Sequence, residues 1–376
     1  MVIGRLVALP EVALLGVIGL AMLLSCWAVN LVRATMPLVE RQVRPRRVTQ
    51  GQTVELALTV GPAGRRPVPT TQISDTVDQN PLPSHTMAPI ASGSTRRLVS
   101  KVVATHRGIA RVGPVTVSIS DPLGLTEVRA IVNVRDEVIV WPRIEALSPT
   151  DRATASGAES APVASLLTAP TVDDAPRLRE YQPGDDVRRV HWPSTARLGT
   201  PVVREVDRPA DDRTIVVLDT RRSHHDGPSF ERAVIAAASV VSDRVAVGEP
   251  VRLITTSGAD SGQIIDRRDL ERVLDDLAAI QPQAGGNFVG VIRTLRSKAG
   301  DGVVIACAGS SLDSADLAEF HLATFGMAGR LISCGDAALA GRRIAGPGVV
   351  EVRFGSHHRL SEQWVLTAQR IDRAPA

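Results

Sequence analysis

A chain of 376 residues, 44% hydrophobic and 22% charged, is too long for one ordinary domain and too apolar for a disordered polymer. The net charge is only +3, and Arg is interleaved with Asp and Glu, which excludes the segregated basic face of a protein that grips nucleic acid by its phosphates. Three cysteines, Cys26, Cys307 and Cys334, are an odd, sparse set that fits a reducing compartment better than a disulfide framework, and none has a Cys or His neighbour at zinc spacing.

The first element is apolar. Val12 to Val32 runs 21 residues without a charge, enough for a helix to cross the roughly 30 Å hydrocarbon layer. Arg5 precedes it, offset by Glu11; Arg33, Arg41, Arg44, Arg46 and Arg47 follow, offset only by Glu40. This asymmetry predicts a single-pass membrane protein with its soluble parts in the cytoplasm. "LLSC", Leu23 to Cys26, is loosely like a lipoprotein cleavage box, but six apolar positions follow Cys26, unlike a mature lipoprotein start. Residues 1–47 are therefore assigned to a transmembrane anchor and its basic flank.

Residues 48–147 alternate apolar with polar in short runs such as "TVELALTV", "RLVSKVVAT" and "DEVIVWP", punctuated by Gly, Pro and Asp. That pattern predicts an antiparallel β-sandwich. Residues 148–170, rich in Ala, Ser, Thr and Pro, read as a flexible linker.

The segment 171–376 opens on a dense stretch, "REYQPGDDVRRVHWPSTAR" (179–197), and then changes pattern. "TIVVLD", "PVRLITT", "GVVIACAG" and "GRLISCG" have the length and apolarity of buried strands. "FERAVIAAASVVSDRV", "LERVLDDLAAI" and "FVGVIRTLRSK" carry helical periodicity. Repeated strand–helix units predict a doubly wound parallel sheet. The fold class is thus multidomain: an N-terminal transmembrane helix, an antiparallel β-sandwich, then an α/β sheet.

The stretch at 179–197 resembles the signature of the family called Domain of Unknown Function 58, whose form is Arg-x-Tyr-x-x-Gly-Asp, a spacer, Arg-x-Ile-x-Trp and Ala-Arg. The matching residues are Arg179, Tyr181, Gly184, Asp185, Arg188, Trp192, Ala196 and Arg197, with Val190 in the Ile place. Arg107-Gly108, Gly113-Pro114, "DPLGL" (121–125) and "VWPR" (140–143) resemble further family elements. The chain departs from the family pattern in having one N-terminal helix where a helical hairpin is usual, and Pro193 after the Trp. The resemblance implies a membrane anchor, a β-sandwich and a C-terminal domain similar to the von Willebrand factor A fold. It also implies a MoxR-type AAA+ ATPase as partner, with a membrane transglutaminase-like protein as a second.

Taken physically, the signature has three readings: a folded knot of Arg–carboxylate pairs around Trp192, a docking surface, or a site using His191 and Ser194. No third group orients a base there. A metal-binding A-type domain carries Asp-x-Ser-x-Ser, a Thr and a second Asp, all oxygen ligands for a hard cation. At those places stand Asp219, Arg221, Ser223, Asn287 and Ala308. A guanidinium cannot ligate a cation, so the pattern predicts a lost metal site and no cofactor. The pairs His224-His225 and His357-His358 read as solvated loops. Gly285-Gly286 and Gly346 to Gly348 lack the spacing of a nucleotide site. The expected function is a non-enzymatic membrane-anchored scaffold. A hydrolase and an envelope-facing adhesion module are the alternatives.

Overall fold

The computed structural model describes residues 10–33, 36–120, 127–147, 178–180, 195–197, 199–200, 202–204, 214–296, 302–309, 311–324, 328–335, 349–356 and 359–364. The linker 148–170, "DPLGL" at 121–125, Gly346 to Gly348 and His357-His358 lie outside them. The chain divides into two units, Met1–Trp141 and Pro142–Ala376.

The first unit begins with helix α1, Pro10–Arg33. Its stretch Glu11–Ala28 has mean hydropathy 2.0, and only 6% of it is buried. Leu14, Leu15 and Leu24 stay exposed along it. The core helix of a soluble domain would hide these side chains, whereas a bilayer accepts them. One N-terminal helix is therefore long and apolar enough to span a membrane.

Twelve strands follow among the described residues: β1 Pro37–Arg44, β2 Arg47–Thr49, β3 Thr53–Pro62, β4 Thr71–Ser74, β5 Thr76–Val77, β6 Asn80–Pro81, β7 His85–Met87, β8 Arg96–Val103, β9 Gly108–Val112, β10 Val115–Ser120, β11 Glu127–Val132 and β12 Asp136–Trp141. They form three sheets, ordered β1-β3-β8, β11-β10-β4-β7 and β2-β12-β9-β5-β6. Most pairings are antiparallel; β2 and β12 run parallel. Side chains alternate across each strand, so Val39 and Val43 of β1 turn inward with Leu56, Leu58 and Val60 of β3.

Arg41 lies on the inward stripe, between Val39 and Val43, with its side chain fully buried. Its Nε and Nη2 donate to the Asp75 carboxylate at 3.2 and 2.6 Å. Its Nη1 donates to the carbonyls of Val112 and Val134 at 2.9 and 3.0 Å. Asp136 stands 3.6 Å from Nη1. Gly113 makes this possible. Its φ of +100° favours glycine, and a Cβ there would meet Val134 O at 2.1 Å and Arg41 Nη1 at 2.8 Å. Residues 37–44, expected as a basic flank to the anchor, are thus a paired strand, and Arg41 is a core residue instead of a flanking charge. Arg in a row of flanking cations carries no mark of its distant carboxylate.

In the second unit, β13 (Leu178–Glu180) and β14 (Val202–Arg204) pair antiparallel, with Arg179 opposite Val203. Among the described residues the main sheet has six strands: β15 Thr214–Leu218, β16 Val251–Thr255, β17 Asp260–Ile264, β18 Val303–Gly309, β19 Ala328–Cys334 and β20 Val349–Phe354. Their order is β17-β16-β15-β18-β19-β20. Five strands run parallel; β17 is antiparallel to β16. The all-parallel expectation fails at β17 because "DSGQI" is polar and forms only as the return of a hairpin after Gly258, whose φ is +95°.

Helices α2 (Gly227–Ala246), α3 (Arg267–Ala279), α4 (Phe288–Arg296) and α5 (Ser314–Ala323) belong to the same unit. Phe288, Ile292 and Leu295 of α4 and Leu317 and Phe320 of α5 pack on Ile215, Val217, Ala306 and Leu331. The alternate strand residues, Val216, Leu218, Ile305 and Cys307, point to the other face. There α2 crosses β15, β16, β18 and β19. Its Ala233, Ala236, Ala237 and Ala238 are fully buried, which lets the helix lie close to the sheet. Cys307 and Cys334 are free and fully buried, and burial pushes both thiols well above the usual range.

Candidate functional site

From β15 the chain moves outward to β16 and β17, then returns to the other side of β15 for β18, β19 and β20. The switch in direction lies between β15 and β18. In open α/β sheets the crevice beyond the carboxyl ends of the strands at this point is where ligands bind. Asp219 stands at the end of β15, fully buried, with its N–H bonded to Cys307 O of β18 at 2.9 Å.

An arginine fills that position. Arg221 donates from its backbone N and its Nε to Asp219 Oδ1, both at 3.0 Å, and from Nη2 to Asp219 Oδ2 at 2.8 Å. The same Nη2 donates to Asp316 Oδ2 at 2.7 Å. The Arg221 side chain is 11% exposed, and those of Asp219 and Asp316 are 0% and 5% exposed. Its guanidinium carbon lies 5.2 Å from the centre of the Phe288 ring. Burial works against the charge on Arg221, but hydrogen bonds to the two carboxylates outweigh it and hold the guanidinium above its ordinary pKa. One cation therefore bridges two buried anions where an ion or ligand would otherwise stand.

The surrounding loops are tied to this pair. Thr256 Oγ1 donates to Asp219 Oδ1 at 3.2 Å and accepts from Thr220 N at 2.9 Å. Arg222 N bonds to Gln283 O, and Gln283 N to Thr220 O, both at 2.7 Å. Gly286 packs against Arg221, where a Cβ would meet Arg221 Cγ at 2.7 Å. Asp316 sits in the first turn of α5, its N–H capped by Asp313 Oδ1 at 2.7 Å.

The other expected metal positions part company. Ser223 is exposed in a 3-10 turn, Arg222–His224. Asn287 caps α4, its Oδ1 accepting from Gly290 N at 2.7 Å, so its side chain is committed to the helix. Ala308 is buried in β18 within the apolar cluster. Asp316 is the residue the sequence does not reveal: it supplies the second carboxylate from eight positions beyond Ala308. The only local signal is the Asp-x-x-Asp spacing of Asp313 and Asp316, which marks a helix start and no more. Of the signature residues, Arg179 lies in β13, and Ala196 and Arg197 are exposed. Tyr181, Gly184, Asp185, Arg188 and Trp192 lie outside the described residues, as do His191 and Ser194.

His224 and His225, expected as a solvated loop, are packed instead. His225 Nε2 is 2.8 Å from Asp219 O, its Nδ1 is 3.2 Å from Ser229 Oγ, and its ring meets Phe230 edge-on. Ser229 is fully buried and donates to Asp226 O. The His224 side chain is 15% exposed, with Nδ1 3.8 Å from Asp316 Oδ2. Gly309 allows the approach, since a Cβ there would fall 1.8 Å from His224 O.

Burial pushes His225 below the usual imidazole range, against the pull of Asp219. Between that lowered pKa and about 6.5 the unfolded chain binds the extra proton, so stability is lost as pH falls through this window. His225→Gln is expected to narrow the difference in melting temperature between about pH 7.5 and about pH 5. An unchanged difference would place the acid sensitivity elsewhere.

Residues 177–309 match the family described as "Protein of unknown function DUF58". Over 112 residues the chain is 32% identical to "Uncharacterized protein Rv1480" of Mycobacterium tuberculosis and to "Uncharacterized protein Mb1516" of Mycobacterium bovis. The match covers 28% of this chain and 35% of each relative, so the chain spans about a third of the length of the curated relatives it matches. Among solved structures, it is similar to the CARDB domain of the PF1109 protein of Pyrococcus furiosus, with 18% identity over 28% of this chain and 94% of that one, at a TM-score of 0.22. An ICAM-5 D1-D4 ectodomain fragment matches at 18% identity over 38% of this chain and 31% of that one, also at 0.22. The stretch from β13, through the Asp219–Arg221 pair, to the end of β18 is thus the part of the chain that is similar to the DUF58 family.

Proposed function

We propose that this chain is a membrane-anchored, non-enzymatic scaffold with a β-sandwich and an A-type α/β domain, the latter presented to protein partners. The observation that carries this reading is Arg221, bonded to Asp219 and Asp316 in the crevice at the strand switch. A crevice plugged by its own guanidinium has no vacancy for a hard cation, and two of the five expected ligand places, Arg221 and Ala308, offer no oxygen. What such a domain retains is surface. The partner proposed is a MoxR-type AAA+ ATPase, on the family resemblance, with the exposed Arg197 as part of the docking face. The cytoplasmic side is proposed for both soluble units on the charges of Arg33, Arg44, Arg46 and Arg47, without Arg41.

Two measurements test this. The full-length chain in detergent, titrated with Mg²⁺ and Mn²⁺ by calorimetry, is expected to give no saturable heat; a site tighter than about 1 mM overturns the plugged-crevice reading. An immobilised full-length chain is expected to retain a purified MoxR-type ATPase, and Arg197→Ala to weaken retention without moving the melting temperature. Equal retention by a bare membrane anchor ends the scaffold reading.

A further inference from the structure

The last strand of the α/β sheet, β20, is paired on one side by β19, and no described strand lies along its other side. Gly335 N donates to Phe354 O at 3.0 Å. The backbone groups of residue 354, and by alternation of 352 and 350, therefore point toward β19. Those of Val349, Glu351 and Arg353 point outward. A strand edge of this kind is a template for another strand.

The side chains on that edge are specific. Glu351 and Arg353 lie on one face, two residues apart, on the side that carries Leu331 and Val349. The Glu351 side chain is only 13% exposed, and its Oε1 is buried without a hydrogen bond. Arg353 Nε is 3.6 Å from it, too far for one. Burial pushes the Glu351 carboxyl up, and Arg353 offsets that only in part.

We propose that β20 pairs antiparallel with β20 of a second copy of this chain, about a two-fold axis through Val352. That register sets Glu351 opposite Arg353 of the second copy, and by symmetry does so twice. Each Glu351–Arg353 pair is a hydrogen-bonded pair, exchanging both of its outward backbone bonds. The buried carboxylate oxygen gains a guanidinium directly across the strand. On the other face Val350 meets Phe354 of the second copy. Shifting the axis to Glu351 sets that carboxylate against itself, and shifting it to Arg353 does the same for the guanidinium. Like charges directly opposite are destabilising, so the two charges admit one register and reject its neighbours. The interface is isologous, and because its axis is normal to the sheet, each helical layer continues into the same layer of the second copy.

The test uses the full-length chain in detergent micelles, with mass measured by analytical ultracentrifugation. Wild type is expected to be a dimer. Glu351→Arg alone and Arg353→Glu alone should each raise the dimer dissociation constant roughly tenfold or more. Mixing the two single variants should restore a dimer, because each then meets opposite charges across the axis. The double variant should behave as wild type. If a single variant fails to fold by circular dichroism, the double variant decides. A monomeric wild type overturns the proposal and makes the charges guards against edge pairing. A dimer that survives both single reversals is held elsewhere and also overturns it.

Discussion

Arg221→Ala is expected to destabilise the α/β unit by about 3–5 kcal/mol, the range seen when one partner of a buried ion pair is removed. The cost comes from what is left behind. Asp219 and Asp316 are almost wholly buried and would face each other with no cation between them. Arg221→Lys should recover only part of it, because a point charge cannot reproduce the two-sided fork. Denaturant unfolding of the full chain measures this. A variant within about 0.5 kcal/mol of wild type, as at ordinary surface sites, would mean that Arg221 does not hold the carboxylates.

A comparable loss, about 3–5 kcal/mol, is expected for Arg41→Met in the β unit. Methionine keeps much of the buried bulk but strips donors from Asp75 and from the carbonyls of Val112 and Val134. Arg41→Met with Asp75→Leu should restore part of the loss, since a buried pair replaced by apolar residues is often neutral. Restoration should be incomplete, because the carbonyls of Val112 and Val134 still lose the Arg41 donor. Full recovery in the double variant would show that the carbonyl bonds contribute nothing. Amide exchange along β3 and β10 is the readout, and it separates this unit from the α/β unit.

Legibility in the sequence followed how local each signal is. The strands β15 and β18 are readable because both faces are covered and the runs are wholly apolar. Arg221 is readable as a substitution that rules out a ligand. Its two carboxylate partners are not equally readable: Asp219 is two residues away, but Asp316 arrives from a helix start on another strand–helix unit. Asn287 is readable as an amide at a ligand place, and its use as a helix cap is not. Strand β1 is hidden because its exposed positions include Glu40, Gln42 and Arg44, with the apolar Leu38 also exposed, and one inward position is Arg41. Strand β17 is hidden because a polar edge strand needs its partner to exist. His224 and His225 look solvated by composition, and only the missing Cβ of Gly309 brings them against the sheet.

The two buried thiols of the α/β unit have a practical consequence. Cys307 and Cys334 lie on neighbouring strands, fully covered and held far from thiolate. An alkylating reagent added to the folded protein finds neither, from whichever side of a membrane it comes, so failure to label says nothing about sidedness. Labelling must wait for the sheet to open. With Cys26 replaced by Ser, the rate at which reagent is consumed becomes a clock for that opening, and under fast reclosing it converts directly into its free energy. Sidedness would instead need a cysteine placed at an exposed position such as Ser257.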